Sequence, residues 1–385
     1  MAYNPRRIVM LRWALCEHGL DALYVRSLSN IAWITGFERV FDLEPAHALI
    51  LTKDRILLHT DMRYAEVLES RAQNTEIEVD STRASHAGVL QRILQEDRAS
   101  RIEADSDMPN MTIGIENSIS LAEFRALEAR LLAEDFSFKV TLAEFSAFVE
   151  SLREKKDEFE VAAMEKAQAI TDAAFSRILD FMKPGMSERE VQLQLDQFMF
   201  DEGAEGLAFD TIVATGAHGS SPHAIPGDAL LQHGDAVVMD FGARYAGYCS
   251  DMTRTVFVGQ PDSELIHAWD TLCRVNETCE QALHAGISGA EVHNLAETLL
   301  AEAGYKDRMG HSLGHSVGLD IHEKPNLSPS NTSPLAAGNV VTVEPGIYIP
   351  GRFGMRLEDF GMVTEDGYDV FTKTPHKMFI IDKLN

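Results

Sequence analysis

The sequence predicts an α/β domain followed by an α+β domain built from two related halves. Three observations predict it. Residues 1 to about 145 alternate short apolar runs with helical patterns. A long helical pattern then breaks that alternation near residue 150. Beyond it, the stretches 185–203 and 286–304 align without a gap. The predicted domains are 1–148 and 149–385, two domains being ordinary for 385 residues.

In the first domain ALYV (22–25), HALILT (47–52), RILLHT (55–60) and TIGIE (112–116) read as strands. Segments near 5–18, 62–72, 86–96 and 120–133 read as helices. Ile8, Leu11 and Leu15 mark one face of the first helix, and Arg12 and Glu17 interrupt its apolar run. That pattern is not a signal peptide. No run approaches the 18 or so apolar residues that cross a membrane. The domain shows no phosphate loop and no clustered chemistry.

LREKKDEFEVAAMEKAQAITDAAFSRILDFM (152–182) reads as one long helix, ended by Pro184–Gly185. GMSEREVQLQLDQFMFDEG (185–203) and GISGAEVHNLAETLLAEAG (286–304) then repeat one pattern. In each, a Ser–x–x–Glu capping box opens a helix and a glycine closes it. A β-rich region with two carboxylates follows each copy: Asp240 and Asp251, then Glu344 and Glu358.

The first pair lies in DAVVMDFGARYAGYCSDMTRTVFVG (235–259). A turn at Ala246–Gly247 sets Tyr245 opposite Tyr248 and Asp240 opposite Thr253. Asp251, two residues before Thr253, then shares a face with Asp240 as its diagonal neighbour. A slip of one residue would separate them. The second pair lies in NVVTVEPGIYIPGRFGMRLEDFGMVT (339–364), with its turn expected from Pro350–Gly351 through Gly354.

Buried acids are costly unless paired or bound to a cation. Either hairpin alone reads as a solvated hairpin with incidental acids. Four acids in apolar strands, repeated in two halves, point to metal. Their combined charge matches two divalent ions rather than one. Carboxylate ligation favours Mn²⁺ or Co²⁺, with Zn²⁺ possible. Two such ions roughly 3.5–4 Å apart can share a hydroxide and polarise a carbonyl, which is machinery for hydrolysis.

HSLGHSVGLDIHEKP (311–325) adds three histidines. His311 and His315 have the helical spacing of a zinc pair, but Gly314, Gly318 and the missing Glu of HExxH argue against that motif.

MDFGARYAGYCSDMTRT, HSLGHSVGLDIHEKP, VTVEPGIY and MRLEDF together resemble the four metal-site segments of the creatinase/aminopeptidase P/prolidase family. These are dinuclear metallopeptidases with a pita-bread catalytic domain, and the resemblance covers about 150 to the C-terminus. It implies hydrolysis of the Xaa-Pro bond of dipeptides or of the N-terminal Xaa-Pro of short peptides. It makes Asp240 a bidentate ligand of one metal, Asp251 and Glu358 bridging ligands, and His315 and Glu344 ligands of the other. Glu344 would also accept the proton of the attacking water. His223 (in SSPHAIPGD) and His322 would line the substrate site, and Arg356 and Tyr348 would orient the acids. The resemblance also implies a homodimer.

Other histidines carry plainer expectations: His311 as hydrogen-bonded support, and His267, His284 and His293 as solvated or capping groups. His223 can also be ordinary turn chemistry. Cys249 reads as a buried structural thiol. Two positions depart from the family: Ser316 stands where Gly is common, so its hydroxyl is expected to crowd or contact substrate. Asn326 stands where dipeptide-binding prolidases often have Arg, which leaves room for longer peptides.

The net charge of −26 argues against nucleic acid and against an anionic membrane surface. It reads as a solubility or salt-tolerance surface. Four cysteines without a CxxC read as reduced thiols in a cytoplasmic protein. The alternative function is a non-peptidase amidino or amide hydrolase on this fold, of creatinase or ectoine-hydrolase type. Such members tend to lose metal ligands, as would a peptidase-like binding module. Methionine aminopeptidase shares the ligands but usually lacks so large an N-terminal domain.

Overall fold

The computed structural model describes residues 3–42, 44–102, 110–133 and 138–382. They form two compact units that divide between Leu152 and Arg153.

The first unit is a six-stranded mixed sheet. Its strand order is Ile77–Asp80, Ile56–His59, Ala48–Thr52, Ala22–Val25, Met111–Glu116, Val140–Phe145. The four strands legible in sequence are its four central ones, and their side chains are almost all buried. The two edge strands were not legible. IEVD and VTLAEF bury only some of their side chains, so they carry no apolar run. A helix at Leu28–Thr35 was also missed. Ser27 caps it and Gly36, at φ 68°, ends it, but eight residues give too little periodicity to read.

The expected single helix over 152–182 is instead two: Phe148–Arg153, which ends at the boundary between the units, and Glu158–Phe181 in the second. Asp157 causes the break. Its carboxylate accepts from the amides of Phe159 and Glu160, both at 3.0 Å, and Glu160 Oε2 accepts from Asp157 N at 2.9 Å. This is a capping box inside a stretch that otherwise reads as helix.

The internal repeat is physical. Ser187–Glu190 and Ser288–Glu291 both form capping boxes. Gly185 N donates to Leu231 O at 2.8 Å and Gly286 N to Leu335 O at 2.9 Å. Ile212–Thr215, Ala236–Phe241 and Met252–Val258 pair in order as one antiparallel set. Gly314–Ser316, Val340–Val343 and Asp359–Val363 pair in the same order in the other half. Each sheet is backed by its own helix pair. Phe175, Leu195 and Met239 share one core, and Leu272, Val292 and Val341 share the other. Each such side chain contributes about 1.5–3 kcal/mol by leaving water.

The first hairpin has the expected register, with Tyr245 opposite Tyr248 and Asp240 opposite Thr253. Ala246 and Gly247 both have positive φ, 49° and 83°, as a two-residue turn of this hand requires. The second hairpin turns more tightly than expected. Ile349 pairs with Phe353, so the turn is Pro350–Arg352, and Gly354 lies within a strand opposite Tyr348. Gly354 is glycine for another reason: a Cβ there would stand 1.8 Å from Gly219 O. One register runs from Val340–Val343 with Asp359–Val363 into Gly346–Ile349 with Phe353–Arg356. Glu344 and Glu358 face each other at the joint.

No described helix is long and apolar enough to cross a membrane. All four cysteines are free thiols.

Candidate metal centre

The two hairpins and the 311–323 segment bring the expected residues to one cavity of about 570 Å³. Asp240, Asp251, His315, Glu344, Glu358, Arg356, His223 and His322 all line it. Tyr348 stands behind Arg356, which donates to its hydroxyl at 2.6 Å.

His315 lies on the short strand Gly314–Ser316, so no helical HExxH-like pair exists. Its Nδ1 bonds the carbonyl of Ser316 at 3.2 Å. A carbonyl only accepts, so Nδ1 carries the hydrogen and Nε2 is bare. That bare nitrogen faces Asp251 Oδ2 at 3.5 Å and Glu344 Oε1 at 3.4 Å. Fixing one ring nitrogen on a carbonyl to free the other is how ligating histidines are held. Burial, and then His322, lowers the His315 pKa to about 4, so the ring is neutral at pH 7.

The acids crowd together. Donor atoms of Asp251, His315 and Glu358 lie within 4.8 Å of one another. Burial, and then Glu358, pushes Asp251 far above the usual carboxylate range. Burial, and then Glu344, does the same to Glu358. Glu344 is pushed up to about 8 by burial and Asp240, against the pull of Arg356. Asp240 Oδ1 is buried without a hydrogen-bond partner. An orphaned carboxylate oxygen beside three acids that resist ionising is a site short of positive charge, and divalent ions fit it.

Arg356 supplies part of that charge. It bonds Asp240, and its Nε donates to Thr253 Oγ1 at 2.9 Å. Thr253 in turn donates to Glu358 Oε2 at 2.7 Å. Tyr348, its pKa pushed up to about 12 by burial, keeps its proton and bonds His311 Nε2 at 3.1 Å. His311 Nδ1 bonds Ser312 O at 2.8 Å, so His311 takes the supporting place expected of it.

Four other expectations meet the structure differently or more specifically. Ser316 does not line the cavity. It is fully buried, and its hydroxyl accepts from Lys156 Nζ at 3.0 Å because that cation is buried beside it. His293 is neither solvated nor capping. It sits on the apolar face of its helix, 7% exposed, and accepts from Leu313 N at 3.2 Å. His267 and His284 are on the surface, bonded to the carbonyls of Ala303 and Ala285. Cys249 is buried, its thiol 3.7 Å from Leu319 O.

Sequence reasoning missed the cations beneath the His322 turn. Arg153 and Lys156 both bond Glu323, which lines the cavity. Burial pushes Glu323 upward, but Lys156 and Arg153 outweigh it and hold its carboxyl below the usual range. It missed Thr253 and Thr342 as well. Thr342 bonds Glu344 at 3.2 Å and accepts from His315 N at 3.1 Å. The predicted register already set Thr253 opposite Asp240, so that one was within reach.

A cavity that gathers Asp240, Asp251, Glu344 and Glu358 around one bare imidazole nitrogen is that of a metal-dependent enzyme. Residues 162–365 match metallopeptidase family M24, and residues 7–155 match the creatinase/prolidase N-terminal domain. The chain is 36% identical to an Xaa-Pro dipeptidase of Pyrococcus furiosus over 270 residues, 69% of this chain and 75% of that protein. It is similar in structure to an Xaa-Pro dipeptidase from Bacillus anthracis, with TM-score 0.84 and 33% identity over 98% of this chain and 99% of that one. It is also similar to an X-Pro aminopeptidase from Thermotoga maritima, with TM-score 0.81 and 32% identity over 94% and 98% of the two chains. The protein belongs to metallopeptidase family M24, with a creatinase/prolidase N-terminal domain ahead of a pita-bread catalytic domain.

Proposed function

We propose that this protein is a dinuclear-metal exopeptidase that hydrolyses Xaa-Pro bonds, at the N-terminus of short peptides or in dipeptides. The observation that carries the reading is the convergence of all five ligand-type residues, from both halves, on one cavity wall. Similarity to an Xaa-Pro dipeptidase and an X-Pro aminopeptidase supports the substrate class. The amidino-hydrolase alternative is not favoured, because no ligand position is lost.

Asp240 would hold one ion, Asp251 and Glu358 both, and His315 and Glu344 the other. Bound divalent ions, Mn²⁺ first, supply Lewis acidity toward the scissile carbonyl and acidify water. Glu344 would take the proton of the attacking water, a role open to it once bound ions have displaced its own proton. His223 and His322, both exposed within the cavity, hold the substrate and then the tetrahedral intermediate. Arg356 keeps Asp240 aimed inward. A homodimer and a cytoplasmic location accompany this reading, and they rest on family resemblance and free thiols.

The wall also bears on substrate length. Among the described residues lining the cavity, Arg356 is the only Lys or Arg, and Asp240, Tyr348 and Thr253 already engage it. Among the described lining residues no Lys or Arg is left to pair with a dipeptide's carboxylate, so Xaa-Pro-Xaa peptides are the better substrates. Asn326→Arg is expected to raise kcat/KM for Xaa-Pro dipeptides roughly tenfold or more, about the value of one charge-assisted hydrogen bond. Steady-state kinetics on paired dipeptides and tripeptides check this, and an unchanged ratio contradicts it.

The reading itself is tested by stripping the enzyme with chelator and restoring Mn²⁺, Co²⁺ or Zn²⁺. It is then offered an Xaa-Pro dipeptide, an Xaa-Pro-Xaa tripeptide, creatine and a Met-initiated peptide. Metal-dependent cleavage of a proline peptide is expected; its absence would sink the reading.

A further inference from the structure

The segment that carries His223 is tied at both ends to one buried carboxylate. Glu188, the first residue of the helix Glu188–Asp201, has no exposed surface. Its Oε1 accepts from Thr215 N at 2.8 Å, just before the segment. Its Oε2 accepts from Gly227 N at 3.0 Å, at the segment's far end. Between them, His218 Nδ1 lies 2.8 and 2.9 Å from the two oxygens. The opposite side of the segment packs backbone to backbone on Gly354, two residues before Arg356.

Helix capping does not explain this carboxylate, because Ser187 and Glu190 already close the capping box. Nor does the repeat. The matching place in the second half is Gly289, where a Cβ would stand 2.2 Å from Asn326 O. Only the half that carries His223 keeps an acid here. A carboxylate buried in this way costs energy unless its lone pairs are met, and here donors from three places in the chain meet them.

We propose that Glu188 is a positioning residue for the reaction: it fixes residues 216–227 so that His223 stands at the substrate. This rests on the reading above that His223 contacts substrate. Glu188 touches neither substrate nor metal and acts through the segment.

The test is a double-mutant cycle on the metal-loaded enzyme with an Xaa-Pro-Xaa tripeptide. Glu188→Gln keeps the shape but sets an amide NH₂ against a backbone N–H, donor against donor. It is expected to lower kcat/KM roughly 10- to 100-fold, as small misplacements of a contacting group do. In a His223→Ala background the same change is expected to cost almost nothing, and amide exchange is expected to quicken within 216–227 alone. Equal losses in both backgrounds, or unchanged exchange in that segment, overturn the proposal. If Glu188→Gln fails to fold, His218→Ala, which removes one surface donor, runs the same cycle with a smaller expected loss. A wild-type enzyme inactive on proline peptides would overturn the functional reading instead, and the exchange result would still decide whether Glu188 anchors the segment.

Discussion

Under the proposed ligand set, in which Asp251 would serve both ions, Asp251→Ala is expected to lower kcat on Xaa-Pro peptides by on the order of 10³-fold or more, since each ion would supply several kcal/mol. The same substitution is expected to make the metal-free protein more stable. Asp251 is 4% exposed and crowded by Glu358, Asp240 and Glu344, so removing it relieves a burial and crowding cost that bound cations would otherwise offset. Activity, metal content and melting temperature measured together check this. Normal turnover would sink the ligand assignment, and a less stable apoprotein would sink the electrostatic account.

Stripping the metals is expected to make the protein lose stability as pH rises toward 8. Burial and neighbouring acids raise Asp251, Glu344 and Glu358 above their unfolded values, Glu344 to about 8 from 4.5. An acid raised in the folded state contributes stability below its unfolded pKa and loses it as pH rises through the folded one. His315, lowered to about 4 from 6.5, works the other way but only below its unfolded value. Between about pH 6.5 and 8 the acids therefore dominate, and the stripped protein should melt lower at each step. A tenfold change in one group's proton affinity is worth about 1.4 kcal/mol, or roughly 3–6 °C in a domain of this size, so the fall should be several degrees. Loaded enzyme should show little of it, and metal uptake at pH 7 should release protons. Thermal melts with and without Mn²⁺, and calorimetry in two buffers, measure both. A flat apoprotein profile, or uptake without proton release, would refute the scheme.

The first hairpin was legible because one turn fixed its register, and period two then placed Asp240 beside Asp251. The capping boxes were legible for the same local reason. What escaped was set by partners distant in sequence. Nothing near Lys156 announces Glu323, and nothing near Glu188 announces Gly227. Periodicity reports which face a residue takes, not what meets it there. The break at Asp157 is a different miss, since D–x–x–E was readable within the helical stretch and the apolar pattern outweighed it. The edge strands escaped because half-solvated residues leave no apolar run.

The matched halves bear on how such a centre could arise. Two identical chains meeting about an axis must present every group twice, once from each side. Joined in one chain, each copy is free to change alone. Aspartate-length arms reach in from one copy and glutamate-length arms from the other, and a single imidazole enters from the second without a twin. Position 188 is an acid while its counterpart, 289, is a glycine. Covalent fusion thus turns a centre that symmetry would have made two-sided into one with a front and a back, which a directional substrate such as a peptide requires.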